Sequence, residues 1–286
     1  MNENTDIIRL LNLSSGKLSK GHKKIAQFIE ENYDRAAFMT AARLGKLVSV
    51  SESTVVRFAN ALGYEGYPQM QKALQEIVHH RLTSSQRLAM SASVNAVELP
   101  DIVLRTDLNN IRATIEEVDR TAFAAVVEAL SQARTIYVLG LRSAAPLAQF
   151  FGHYLQFIFD DVRLITGPGG DVFETIARIT PKDALVGISF PRYSSRTLES
   201  MRFARSRGGK VIGITDGMLS PLHEVSDLCL DARTDMVSFV DSLAAPLSLI
   251  NALLVALGVR NNERLTQNLR NMEEIWDTYR IYDAKR

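Results

Sequence analysis

Between positions 187 and 197 the chain reads GISFPRYSSRT, where hydroxyls and cations crowd the end of an apolar run. Ser189, Ser194, Ser195 and Thr197 bring hydroxyls, and Arg192 and Arg196 bring charge, just before an amphipathic helical pattern. A helix start offers free N–H groups and a partial positive charge, so it favours an anion. Hydroxyls added there make a phosphate cradle. Two other strand ends carry similar chemistry. LGLRSAA, 139–145, places Arg142 and Ser143 at a helix start, and TGPGGD, 166–171, is a glycine-rich turn before a helix. Each hydroxyl taken alone would serve as well as a helix cap. Together the three loops point to a phosphorylated ligand, with Ser143, Ser189, Ser194, Ser195 and Thr197 as the candidate contacts. Arg192 and Arg196 point equally well to ligand, solvent or a partner subunit. The GxxxxGK[ST] pattern is missing, and LGLRSA stands where a GxGxxG fingerprint would follow the first strand. Nucleoside triphosphates and dinucleotides are therefore not the expected ligands.

A second stretch, LGKLVSVSESTVVRF at 44–58, suits nucleic acid. Leu44, Val48, Val50, Val55 and Phe58 are apolar and Gly45 is small, the pattern of two short helices crossing at a tight turn. Ser51 is placed to cap the second helix. Val55, Phe58, Ala59 and Leu62 form its core stripe at i, i+3, i+4, i+7. Ser53, Thr54, Arg57 and Asn60 then face outward. Arginine can bond guanine or phosphate, asparagine adenine, and hydroxyls phosphate. The candidate DNA contacts are Ser51, Ser53, Thr54, Arg57 and Asn60. The turn position that often carries glycine is Ser49, which can enter the left-handed region only at a cost.

These residues must be held by two kinds of architecture. The first ~80 residues read as short helices: His22–Tyr33, 41–48, 52–62, and one from about Gln69 to His80. Residues 82–100 are Ser/Ala-rich with little periodicity. After residue 134, strand-like runs (Arg134–Leu141, Val162–Ile165, Asp183–Ser189, Lys210–Thr215, Asp227–Leu230) alternate with helical patterns. This is the signature of an α/β domain with a doubly wound parallel sheet. An apolar helix, Leu243–Leu257, and a charged one, Asn261–Tyr282, follow. The expected division is a helical DNA-binding domain at 1–81, a linker at 82–105 and the ligand-binding domain at 106–286. Residues 1–81 carry 11 Lys+Arg against 8 Asp+Glu, and the rest 22 against 24, so positive charge gathers on the helical side. No apolar run reaches the ~20 residues of a membrane span, and the polar start MNENTDIIRLLNL has no signal pattern, so a cytoplasmic protein is expected. The single cysteine, Cys229, lies in apolar DLCLD and reads as a buried thiol. No Cys/His cluster has metal-ligand spacing, and neither a metal nor a cofactor is expected.

SESTVVRFANALGYEGYPQMQKAL resembles the helix-turn-helix of the RpiR/MurR-type bacterial transcriptional regulators, and the segment containing GISFPRYSSRT resembles their SIS (sugar isomerase) domain. The two segments occur in the family's order and cover nearly the whole chain. The resemblance implies a regulator of carbohydrate metabolism or uptake genes, with double-stranded operator DNA and a sugar phosphate effector as partners. It also implies a homodimer or homotetramer built through the SIS domain. By position it assigns Ser143 to the first ligand loop and Ser189, Ser194, Ser195 and Thr197 to the second. SIS domains often read SxSGxT in that second loop, and Phe190-Pro191-Arg192-Tyr193 here implies a different ligand geometry. Two alternatives stand beside this reading. One is a sugar-phosphate isomerase with a helical appendage, for which Glu174 and His223 are the candidate acid–base groups. The other is an interaction module that uses the N-terminal helices as an oligomerisation arm.

Overall fold

The computed structural model describes residues 18–282, apart from 38, 72, 75–82, 92–93 and 168–170. The chain forms two compact units that divide between Met90 and Ser91.

In the first unit, α1 (Lys20–Glu31) starts at Ser19, whose hydroxyl accepts from the His22 N–H. It buries Ile25, Ala26 and Ile29. After the short turn Tyr33–Ala36 come α2 (Ala41–Leu47) and α3 (Glu52–Ala61). Residues 67–71 and 73–74 are helical, while 72 and 75–80 of the expected helix lie outside the described residues. Leu44, Val55, Phe58, Met70 and Leu74 join Ile25 and Ile29 in one apolar cluster. Tyr67, buried in the same cluster, donates its hydroxyl to the Met39 carbonyl at 2.7 Å, and burial pushes the phenol pKa up to about 12. Helix α4 (Ser84–Met90) lies within the Ser/Ala-rich stretch. There, Thr83 caps the turn by accepting from the Gln86 N–H.

The second unit opens with α5 (Leu99–Glu117), which begins inside the expected 82–105 linker because Pro100 suits a first helical turn. Then follow α6 (Arg120–Gln132), β1 (Ile136–Gly140), α7 (Ala145–Ile158), β2 (Val162–Ile165), α8 (Val172–Ile176), β3 (Ala184–Ile188), α9 (Ser195–Ser206), β4 (Lys210–Thr215), α10 (Leu222–Val225), β5 (Leu228–Asp231), α11 (Ala244–Arg260) and α12 (Asn262–Tyr279). The strands pair in parallel in the order β2-β1-β3-β4-β5. Each strand-like run of the sequence matches one of them: β2 and β4 have the expected bounds, β1 and β3 are shortened at both ends, and β5 is shifted one residue onward to Asp231. Alternation divides the side chains between two faces. Ile136, Val138, Val186 and Ile212 meet α6, α7 and α11 on one face. Tyr137, Leu139, Leu185 and Val211 meet α8, α9 and α10 on the other. Helix α11 buries Leu249, Ile250, Leu253 and Leu257 in the first of these cores, yet leaves Val255 and Val259 exposed. Among the described residues, no single helix is long and apolar enough to cross a membrane.

Candidate functional site

The turn between α2 and α3 is set by steric fit. A Cβ on Gly45 would lie 2.9 Å from the Val50 carbonyl oxygen, so only glycine lets the second helix start this close to the first. Ser49 takes the left-handed conformation at φ 56°, as the tight turn requires. The Ser51 hydroxyl then accepts from the Thr54 N–H at 3.2 Å and caps α3. Ser51 Oγ also lies 2.9 Å from Ser53 Oγ and 2.8 Å from Thr54 Oγ1. Ser51, Ser53, Arg57 and Asn60 are exposed and Thr54 is half-buried, so all five sequence-predicted contacts sit on one helix and its cap. The Arg57 guanidinium lies back along its own helix, with Nε donating to the Ser53 carbonyl at 3.3 Å. The opposite side of α3 is core: Phe58 is fully buried and its ring meets the His22 ring edge-on at 5.5 Å. Burial and the nearby Arg57 charge lower the pKa of His22.

In the second unit the order 2-1-3-4-5 puts the topological switch point between β1 and β3. The chain leaves β1 toward one edge of the sheet and β3 toward the other, which opens a crevice at their carboxyl ends. Gly140 pairs with Ile188, so the loops carrying Ser143 and Ser189–Thr197 leave from neighbouring positions. A Cβ on Gly140 would meet the Ala144 carbonyl oxygen and the Ala148 Cβ at 2.7 Å, so glycine lets the first loop fold tightly over the strand end. Both loops hold an arginine in the left-handed region, Arg142 at φ 57° and Arg192 at φ 71°. Side chains rarely adopt that conformation, and such strain gathers at functional turns.

Ser143 is exposed in a short 3-10 turn, Arg142–Ala144. Ser189 is buried and its hydroxyl accepts from the Ser194 N–H at 3.2 Å. Ser194 caps α9 by accepting from the Thr197 N–H at 3.3 Å. Ser195 is exposed as the first residue of α9. The Thr197 hydroxyl is buried and has no hydrogen-bond partner. Arg196 is turned away from this start: it donates to Asp171 Oδ1 at 2.8 Å and lies over the Phe173 ring at 5.3 Å. Asp171 in turn caps α8 by accepting from the Phe173 N–H. This ties the helix start after β2 to the one after β3, while 168–170 of the glycine-rich turn lie outside the described residues.

Sequence reasoning missed the brace behind the second loop. Thr215, at the end of β4, donates its hydroxyl to the Ser189 carbonyl at 2.9 Å. Ser220 Oγ is 2.7 Å from Thr215 Oγ1 and accepts from the Leu222 N–H. The Tyr193 hydroxyl donates to Asp216 Oδ1 at 2.7 Å, with the phenol pKa raised first by burial and then by the Asp216 charge. The available signal was ITDG, a hydroxyl and a carboxylate at the next strand end along the sheet. Of the two acid–base candidates, Glu174 is exposed on α8, and His223 pairs with Asp231 at 2.9 Å. A cleft of about 760 Å³ lies elsewhere, lined by Phe157, Val255, Val259 and Trp276. Its apolar walls do not suit a dianion, and the strand ends, with their polar groups, are the better candidate site.

A helix-turn-helix unit followed by a five-stranded parallel α/β domain is the architecture of a DNA-binding regulator with a second, α/β domain. Comparison with known proteins agrees. A family model described as a helix-turn-helix domain of the rpiR family matches residues 5–80, and one described as the SIS domain matches 129–256. The chain belongs to the RpiR family. The HTH-type transcriptional regulator HexR of Pseudomonas aeruginosa is 27% identical over 269 residues, which cover 90% of this chain and 91% of that one. The sugar isomerase domain of an RpiR transcription factor from Sphaerobacter thermophilus is 30% identical with a TM-score of 0.60, covering 62% of this chain and 99% of that one. NanR of Vibrio vulnificus, solved complexed with ManNAc-6P, shares the fold at 20% identity and a TM-score of 0.59, covering 96% and 98%.

Proposed function

We propose that this regulator is controlled by a sugar phosphate held at the β1/β3 switch point, with Ser143, Ser189, Ser194, Ser195 and Thr197 around the phosphate. The observation that carries the reading is the Thr197 hydroxyl, buried at the start of α9 without a partner. A buried polar group without a partner is costly, and an anion at this helix start would supply one. The ManNAc-6P complex of NanR, a protein of the same fold, is in keeping with a phosphorylated sugar. Ser51, Ser53, Thr54, Arg57 and Asn60 form the DNA-reading surface in this proposal. We further propose a cytoplasmic homodimer or homotetramer, since one short recognition helix makes few base contacts and operators mirror two-fold symmetry. The exposed Val255 and Val259 of α11 support a role for that helix in the contact. The SIS domain binds its sugar phosphate without converting it. Effector and DNA are then coupled reciprocally: a ligand that lowers DNA affinity binds the DNA complex less tightly by the same factor.

Calorimetry with hexose, pentose and amino-sugar phosphates, on wild type and a Ser194→Ala/Ser195→Ala variant, tests the cradle. Wild-type affinity in the variant would place the phosphate elsewhere. Binding to DNA from the protein's own promoter region should fall steeply with salt through counterion release. Light scattering that shows only monomer at micromolar concentration would remove the oligomer.

A further inference from the structure

We propose that His223, Cys229 and Asp231 form a binding site for a divalent transition metal of the zinc class, at the β4–β5 edge of the second unit. The site is independent of the effector reading. One ligand atom from each of the three residues lies within 4.8 Å of the others. Cys229 and Asp231 are two residues apart on β5 and therefore share a face. His223 reaches them from α10, with Nε2 at 2.9 Å from Asp231 Oδ1 and 3.2 Å from Oδ2. Tetrahedral zinc, with bonds of about 2.0–2.3 Å, holds its ligand atoms about 3.5 Å apart, so small side-chain rotations close the set. The side chains of His223 and Asp231 are 21% and 26% exposed and Cys229 is half-buried, so solvent reaches the cluster and water can take the open position.

The surroundings leave room for the thiol. A Cβ on Gly213 would lie 2.8 Å from Cys229 Sγ and 2.6 Å from Ser226 Oγ. The Ser226 hydroxyl, which like the sulfur lies close to Gly213, is buried and has no hydrogen-bond partner. Turned toward a metal-bound thiolate it would act as an outer-shell donor, the kind of support that orients metal ligands. Sulfur, imidazole and carboxylate together select a borderline-soft cation over magnesium or calcium, which prefer oxygen alone. On binding, the thiol proton and the Nε2 hydrogen held by Asp231 are released to solvent, so the Nε2 lone pair faces the metal while the ring proton sits on Nδ1.

The test uses full-length, tag-free protein cleared of metal by chelator. Titration should show one saturable equivalent of Zn²⁺ per chain, and Co²⁺ in its place should give a sulfur-to-cobalt charge-transfer band. Cys229→Ser should abolish that band. Both Cys229→Ser and His223→Gln should weaken Zn²⁺ by more than the roughly 10–100-fold typical of losing an outer-shell partner. If Cys229→Ser does not fold, His223→Gln decides by affinity alone. Lack of saturable binding, a cobalt spectrum without the sulfur band, or variants with wild-type affinity would each overturn the site.

Discussion

Two helices of this protein begin in the same way. Helix α3 starts at Ser51-Glu52-Ser53-Thr54 and α9 at Ser194-Ser195-Arg196-Thr197. In both, the serine hydroxyl accepts from the threonine N–H, at 3.2 and 3.3 Å. The local chemistry is the same and the surroundings are opposite. The Thr54 hydroxyl is satisfied by Ser51 on a helix that presents its polar side to solvent. The Thr197 hydroxyl is buried beside a sheet crevice with nothing to bond. Arg57 folds along its own helix, whereas Arg196 crosses to Asp171 after another strand. One motif thus meets two settings, a helix face open to solvent and a helix start packed at the end of a sheet.

The largest expected difference is between the arginines. Arg57→Ala should cost roughly 1–3 kcal/mol in specific DNA binding. Arg196→Ala should leave DNA affinity unchanged and lower stability by about 0–1 kcal/mol, as an exposed ion pair does. Gel-shift titration with denaturant unfolding reads both, and equal DNA affinities for wild type and Arg57→Ala would break the comparison. The threonines come next. Thr197→Val should stabilise the ligand-free protein by about 1 kcal/mol, because it removes an unsatisfied buried hydroxyl. The same change should weaken sugar phosphate binding about tenfold, as one hydrogen bond to an anion would. Thr54→Val should destabilise by about 1 kcal/mol, because it removes a satisfied hydroxyl. A destabilised Thr197→Val would mean that the hydroxyl is already satisfied. The caps should be alike: Ser51→Ala and Ser194→Ala should each cost about 1 kcal/mol in their own unit. Hydrogen exchange of the two helix starts would separate them.

The smallest effect is on pH. The folded pKa of His22 is lowered, chiefly by burial and then by Arg57, so the folded state resists protonation there. Stability from this group is complete above the unfolded-state pKa and falls as pH drops from that value through the folded one. NMR titration should place His22 below ~6.5, the ordinary histidine value, with the first unit weakening in acid. An upward shift would reverse the sign.

Much of this protein could be read from its residues alone. The apolar stripe Val55, Phe58, Ala59, Leu62 and the cap Ser51 fixed the recognition helix, because helical period and cap chemistry are local. The five strands appeared as short apolar runs because both faces of a parallel sheet are buried. Gly45 was legible as a crossing residue for the same local reason, and Ser49 shows the chain tolerating a left-handed residue where glycine is usual. Other features came only from the fold. The sequence places Thr197 after a strand end but does not show that its hydroxyl is buried without a partner. Its burial follows from the packing of α9 on the sheet, and the pairing of Arg196 with Asp171, 25 residues apart, from the way the fold brings together the segments that follow β2 and β3. Nor does the spacing of His223, Cys229 and Asp231 match a paired Cys/His pattern, since the short helix α10 folds back over β5 to bring them together. Sequence by itself determined which helices and strands form, because those follow from side-chain period and local hydrogen bonding. Tertiary structure decided which polar groups lose water and which distant groups meet, because burial and proximity belong to the packed chain.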